Sequence, residues 1–408
     1  MSDSNQIAVI GGGAAGFFTA INIKEINPSL KVVIYEKTNQ VLTKVKVSGG
    51  GRCNVTHACF DPTELINYYP RGKKELRGPF HQFMTFDTIE WFANHGIELK
   101  TEDDGRMFPV SNDSQEVIDC FLSLCKKYGI HIALKKEVGA VSKSADQFLL
   151  NFKDGSSKLA DKMIIASGGN AKLAAYDWIS KLGHSIIPPI PSLFTFNLPK
   201  HNITELMGLS VDNVTVSLEN SSFETDGPLL ITHWGMSGPA ILKLSSMAAN
   251  ELNRRNYQFD FKVNWLFEHD LDSAKELIET YKAQHPKRTI LKHKCANIPT
   301  RLWEYLVKES IGNSAINYAD ISNKSLTQLA NNLVAQAFKA NGKTTFKEEF
   351  VSCGGVDNKF IDFKTMESKV VPNLYFAGEV LNIDAVTGGF NFQSAWTTSF
   401  IAASSIAG

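Results

Sequence analysis

A chain of 408 residues with 43% hydrophobic and 21% charged side chains has room for two or three domains and can bury a core in each, which excludes a disordered or fibrous protein. Its 42 basic and 42 acidic residues cancel, so no global field draws in a polyanion or an anionic membrane; the expectation is a small-molecule substrate, no nucleic acid and no membrane. Six cysteines with no C-x-x-C pair, an opening Met1–Gln6 without a basic n-region and apolar stretch, and no apolar run near ~18 residues point to a reducing, cytoplasmic setting.

The chain begins with an apolar strand, Gln6 to Ile10, a glycine turn, Gly11 to Gly16, a helix over Phe17 to Ile26 stopped by Asn27-Pro28, and a second strand, Lys31 to Tyr35. Gly11, Gly13 and Gly16 match G-x-G-x-x-G, and Glu36 follows Gly16 by 20 residues at the end of the second strand. In such a unit Gly11 permits the tight turn, Gly13 leaves space for a pyrophosphate and Gly16 lets helix meet strand. The helix N-terminus then supplies free N–H groups, and the acid accepts bonds from the adenosine ribose hydroxyls. Glycines serving only a tight turn are the alternative. A long loop, Lys37 to Asn54, carries Ser48-Gly49-Gly50-Gly51-Arg52-Cys53-Asn54, and three consecutive glycines suggest a close backbone approach to a ligand. Phe148 to Leu159 reads as a hairpin, and Lys162 to Ala166 as a strand entering Ser167-Gly168-Gly169. Pro188, Pro189 and Pro191 mark a linker, Val211 to Leu218 alternates as a strand, and Asn264 to Lys339 is rich in helix formers, with Ser322 capping a helix that runs to Phe338. The tail returns to strand, turn and helix: Leu374 to Ala377, Gly378-Glu379, and a helix from about Asn391. No repeat, low-complexity tract or heptad pattern interrupts this order.

Seven ordered motifs then coincide: Gly11–Gly16 with Glu36, Ser48–Asn54, Gly105–Val110, Ala166–Gly169, Thr232–Pro239, Cys353–Val356, and Ala377–Asn382 through Thr387–Asn391. With them the chain resembles the BaiN/RdsA-type (YhiN-like) family of bacterial FAD-dependent oxidoreductases. The resemblance implies an α/β fold in which a Rossmann-like FAD-binding domain, split in sequence, is interrupted by a β-rich domain that carries a helical insert. The expected boundaries are 1–190 and 352–408 for the FAD domain, 191–263 and 341–351 for the β-rich domain, and 264–340 for the helical insert. Asn382 and Ala385 depart from the Asp and Gly usual in that family, and Asn170 to Trp178 replaces a glycine-rich turn.

A single extended FAD orders the candidate residues. Gly11, Gly13, Ala14, Ala15 and Gly16 would hold the pyrophosphate, Glu36 the adenosine ribose, Lys37 and Val138 the adenine end, and Gly378 and Glu379 the ribityl chain, with Ser167 and Gly168 as further cofactor-binding candidates. The loop backbone at Gly51 and the Asn54 side chain would lie beside the isoalloxazine. A helix N-terminus at Gly388, Gly389, Phe390, Asn391 and Phe392 would offer N–H groups to the N1–C2=O edge and stabilise the reduced flavin; an ordinary loop before a helix is the plainer alternative. Arg52 either holds an anionic group or is a packed, ion-paired residue. His233 either donates the proton that accompanies hydride delivery or is a satisfied loop histidine. Cys53 reads as structural, the cluster Lys287, Arg288, Lys292, His293, Lys294 as a solvated face, and no grouping has metal-ligand spacing. The expected activity is hydride transfer between flavin N5 and an organic substrate, with an activated C=C as acceptor and NAD(P)H as a candidate donor. The alternatives are an amine-type oxidase using O2 and a flavin-containing RNA-modifying or RNA-binding protein.

Overall fold

The computed structural model describes residues 6–144, 147–312, 315–344 and 351–408. The opening Met1–Asn5 and part of the expected boundary segment 341–351 lie outside the described residues. Two units are present, Met1–Ser192 with Phe346–Gly408, and Leu193–Thr345.

The first unit is built on β1 (Gln6–Ile10), α1 (Ala14–Ile26), β2 (Lys31–Tyr35), α2 (Thr43–Gly51), β3 (His131–Ala133), β4 (Lys162–Ile165), β5 (Leu374–Phe376) and α3 (Phe390–Ala407). Parallel pairing sets the strands side by side in the order β5, β4, β1, β2, β3, with Ile10 opposite both Tyr35 and Ile165, and Ile165 opposite Phe376. Two short antiparallel strands, Glu367–Ser368 and Ile361–Asp362, extend the β5 edge. Ile7, Val9, Ile34, Ile164 and Ile165 are each 0–1% exposed, because helices cover a parallel sheet and its strands read as apolar runs. One cover is α1 against α3: the Ser399 hydroxyl donates to the Ala15 carbonyl at 3.0 Å, and Phe18 and Trp396 meet at 5.1 Å between ring centroids. The C-terminal helix thus packs beside the first helix, and the split domain closes on itself. The hairpin expected over Phe148–Leu159 is a three-stranded sheet of Val138–Ser144, Gln147–Phe152 and Ser157–Ala160.

Three sequence expectations need correction. The supposed proline linker is a strand, Ile186–Ser192, paired antiparallel with Val351–Val356. Its register shifts between Ile187 and Ile190, and the missing proline donors are tolerated because a two-stranded ribbon with a bulge demands few of them. The loop after Glu36 contains α2, whose buried Val45 anchors it and whose helical dihedrals fail at Ser48, Gly49 and Gly50. The helix capped by Ser322 ends at Val334, not Phe338. Gln336–Asn341 alternates buried and exposed positions, a period of two that pairs it with Gln258–Asn264.

The second unit is β-rich. Its antiparallel sheet has the order Gln336–Asn341, Gln258–Asn264, Ser210–Leu218, Glu224–Thr232, Gly235–Ser237, Thr195–Asn197, Lys343–Thr344. Helices Leu271–Gln284, Thr300–Ile311 and Asn323–Val334 join its core through Ile278, Trp303, Leu306 and Leu329, all fully buried. Among the described residues no helix is long and apolar enough to cross a membrane.

Candidate functional site

The glycine turn between β1 and α1 separates glycines that the protein needs for its own packing from one that leaves space. Gly11 has φ +120°, and a Cβ there would lie 2.3 Å from the Ala166 carbonyl oxygen of the neighbouring strand end. A Cβ on Gly16 would come within 1.9 Å of the Gly11 carbonyl oxygen. At Gly13 a Cβ would meet nothing within 4 Å. Gly13 is also the N-cap of α1, with no side-chain cap and no acidic residue in the first turn, so the helix presents an uncovered positive end. That open cradle fits a diphosphate. Ala14 and Ala15 begin the helix, and Ala15 packs closely enough on Gly378 that a Cβ there would be 2.8 Å away.

Glu36 is 9% exposed at the end of β2, and its carboxylate is already at work. One oxygen accepts from the Gly12 N–H and the other from the Thr38 N–H, both at 2.8 Å. It therefore ties the glycine turn to the second strand, a role its spacing did not reveal, while each oxygen keeps a further lone pair for a ribose hydroxyl. Val138, buried, lies opposite Phe152 of the neighbouring strand, and the Phe152 ring packs on Tyr35 at 4.9 Å. Lys37 points to solvent, Ser167 is exposed, and Gly168 has φ +69° with open space where a Cβ would be.

Glu379 is held by three segments. Its carboxylate pairs with Lys44 of α2 at 2.7 Å, accepts from the Ser352 N–H at 2.9 Å, and sits where a Cβ on Gly169 would be 2.6 Å from it. Lys44, Gly169 and Ser352 were missed as partners. They lie 335, 210 and 27 positions from Glu379, and no local pattern signals that they meet there. Gly378 has φ +73° and donates its N–H to the buried Thr398 hydroxyl at 2.9 Å.

The start of α3 is fixed in detail. A Cβ on Gly389 would lie 2.5 Å from the Thr56 carbonyl oxygen, and one on Gly388, at φ +132°, 2.8 Å from the Phe390 ring, so both glycines are required by the protein's own packing. In the amide orientation that satisfies its neighbours, Asn54 accepts from the Gly389 N–H at 3.0 Å and donates to the Thr56 carbonyl at 3.0 Å. Asn391 folds back on Ala385, donating to its carbonyl at 3.2 Å and accepting from its N–H at 3.0 Å. The Phe390 ring packs against Tyr68 at 4.1 Å and His57 at 4.4 Å, which also meet each other at 5.8 Å, and His57 Nδ1 lies 3.0 Å from the Gly388 carbonyl. Phe392 stacks on Trp396 at 5.4 Å. With Gly389 taken by Asn54 and no side-chain cap, the first-turn N–H groups remain for an outside acceptor. Just before this turn, Arg71 donates to both carboxylate oxygens of the fully buried Asp384, which also accepts from the Ser192 hydroxyl at 2.7 Å.

Of the glycine triplet, Gly49 presses on Phe108, whereas Gly50 and Gly51 face open space. Arg52 is matched within the fold: Nη1 pairs with Glu102 at 2.5 Å, and the guanidinium lies 3.9 Å over the Phe108 ring. His233 stands exposed at the hairpin turn of the second unit, its ring edge-on to Trp234 at 4.1 Å. Burial pushes the thiol of Cys53 up to about 12, and those of Cys120, Cys295 and Cys353 up to about 11. These residues offer no thiolate for a redox relay.

Comparison with known proteins puts the chain in context. It is 29% identical over 417 residues to a protein of Haemophilus influenzae named ribosomal RNA dihydrouridine synthase, covering 100% of this chain and 99% of the relative. It is 25% identical to a Clostridium scindens protein named 3-dehydro-bile acid delta(4,6)-reductase, covering 98% of each. A solved 3-ketosteroid delta1-dehydrogenase from Sterolibacterium denitrificans shares the fold, with TM-score 0.51 and 10% identity over 99% of this chain and all of that one. The model of the HI0933-like protein Rossmann domain matches residues 5–405, and the chain belongs to this family of FAD-dependent oxidoreductases.

Proposed function

We propose that the protein reduces a carbon–carbon double bond conjugated to a carbonyl, and that the bond lies in a uracil ring of RNA. Support comes from what the two named relatives have in common. Dihydrouridine is uridine with the C5=C6 bond, conjugated to the C4 carbonyl, reduced; a 3-dehydro-delta(4,6) bile acid carries double bonds conjugated to its 3-oxo group. Both are enone-type acceptors, and the RNA-directed relative has the higher identity over the full chain. When bound, FAD supplies hydride chemistry.

The residues of this chain bind and orient. The uncovered start of α1 over Gly13 would hold the pyrophosphate, Glu36 the adenosine ribose while keeping the turn closed, Val138 the adenine side, and Gly378 with Glu379 the middle of the cofactor. The observation that carries the reading is the second uncovered helix start, at Phe390–Phe392. Its side chains and glycines are locked by Asn54, Thr56, Ala385, Tyr68 and His57, so its N–H groups are preorganised donors. We assign Arg52, ion-paired and stacked, to shaping the loop of Gly50 and Gly51, and His233 to proton delivery. NAD(P)H is the proposed donor, taken up without a second dinucleotide-binding motif, in a cytoplasmic setting. The test is whether a conjugated alkene, in the absence of air, returns the reduced protein to its oxidised form.

A further inference from the structure

The chain as a whole is electrically neutral, yet residues 280–303 contain Lys282, Lys287, Arg288, Lys292, Lys294 and Arg301 and not one aspartate or glutamate. Among the described residues none of these six cations is paired with a carboxylate. Lys282, Lys294 and Arg301 donate to the carbonyls of Ile321, Ile298 and Glu205, at 2.8, 2.7 and 3.0 Å, and Arg288 donates to the Tyr281 hydroxyl at 3.0 Å. Elsewhere in the same unit cations are matched, as Arg255 is by Glu251 and Lys262 by Glu219, both at 2.9 Å.

The segment bearing these charges is held firmly from below. Ile290 is fully buried, its N–H donates to the Ile316 carbonyl at 3.1 Å, and its carbonyl accepts from the buried Trp303 indole at 2.8 Å. The Tyr318 N–H donates to the Arg288 carbonyl at 2.9 Å, and its hydroxyl donates to the His293 carbonyl at 2.6 Å. Lys287, Arg288, Lys292 and Lys294 stand exposed above these anchors. A cationic face on a fixed backbone has little ordering left to lose when it binds. A solvated helix face needs no such anchoring, and its charges are usually interleaved with acids.

We propose that this face docks the sugar–phosphate backbone of a structured RNA and holds it during reduction of a uracil. The inference rests on the reading that the substrate is a uridine in RNA. The chemistry of the face favours phosphates over other anionic surfaces. No large apolar side chain is exposed in this stretch to enter a lipid interface. Tyr281, a half-buried aromatic of this stretch, already packs at a tilt against His285 and Tyr318 at 4.6 and 4.8 Å, so contact falls to the cations and carries no base readout.

The experiment uses the FAD-loaded full chain and transcripts of bacterial ribosomal RNA domains, with binding followed across a salt series. Lys287→Ala/Arg288→Ala/Lys292→Ala/Lys294→Ala should weaken binding at least tenfold and make the slope of log affinity against log salt shallower by about three, since each phosphate contact contributes roughly 0.7–0.9. Flavin content and melting temperature should not change. Lys287→Glu/Lys292→Glu, at two side chains with no hydrogen bond among the described residues, provides a second variant free of packing effects. Equal affinity and slope in wild type and variants overturn the docking face and leave the reading of the substrate standing. A wild-type protein that neither binds nor reduces RNA overturns both. Polyglutamate of equal length competing as well as RNA overturns RNA as the occupant.

Discussion

At the residue scale, the Glu36 carboxylate holds the glycine turn and is also the proposed acceptor for the adenosine ribose. It accepts from Gly12 and Thr38, so removing it leaves two backbone donors short of a partner and, on the proposed reading, a ribose without an acceptor. The buried Gly12 donor left without a partner costs about 1–3 kcal/mol, while the N–H of the exposed Thr38 can turn to water. Glu36→Ala should therefore melt at a lower temperature even without cofactor, and should lose FAD on dilution. Full flavin occupancy in that variant, measured by absorbance after gel filtration, would show that the carboxylate serves only the turn. His184 gives a second test, through pH. Burial lowers its pKa to about 4, against a smaller opposing effect from the Ile179 backbone, and Phe376 and Phe360 pack around it at 5.0 and 5.8 Å. It is thus neutral in the folded chain where the unfolded chain, with an ordinary value near 6.5, takes up a proton. The stability it contributes is complete above about pH 6.5 and is lost as pH falls toward about 4. His184→Leu should show a shallower drop in denaturation midpoint than wild type over that window; parallel curves would mean that other groups account for the acid sensitivity.

Among the elements, the first βαβ unit could be read from sequence because every signal in it is local: apolar runs for β1 and β2, glycines at the turn, and Asn27-Pro28 as the stop. The Ile186–Ser192 strand could not, since its pairing with Val351–Val356 joins residues more than 150 positions apart and prolines usually argue against a strand. The break at Ala335 was equally hidden, because apolar residues on both sides of it suit either period. The glycines divide in the same way: the motif gives their spacing, but only packing separates those the fold needs, Gly11 and Gly16, from Gly13, which faces open space. That division predicts opposite outcomes at neighbouring positions. Gly16→Ala forces a Cβ onto the Gly11 carbonyl and should destabilise the protein with or without FAD. Gly13→Ala meets open space at a φ of −96°, so the FAD-free protein should melt at the same temperature or slightly higher, while FAD affinity falls. Thermal melts of both apoproteins and flavin titration decide it; wild-type FAD affinity in Gly13→Ala would remove the pyrophosphate from this cradle.

For the whole molecule, the proposed placement of FAD spans the first and last parts of the chain, which form one unit. Its proposed contacts come from β1–α1, from the end of β2, from the loop after α2 and from the start of α3. The proposed substrate was only partly legible in the sequence: neutral overall charge argued against nucleic acid and the cluster Lys287, Arg288, Lys292, His293, Lys294 read as a solvated face, whereas the proposal makes the acid-free stretch 280–303 of the second unit a phosphate-docking face. The account rests on the acceptor being a conjugated alkene, and anaerobic reoxidation tests that most directly. The FAD-loaded protein is reduced with one equivalent of dithionite under nitrogen, and flavin absorbance near 450 nm is followed after adding ribosomal RNA transcripts, a 3-oxo-delta(4) steroid or an amine. The account predicts that the RNA restores the oxidised spectrum while its mass rises by about two units per uridine reduced, that the amine has no effect, and that air acts more slowly. A spectrum that stays reduced with every conjugated carbonyl and recovers only in air would contradict it.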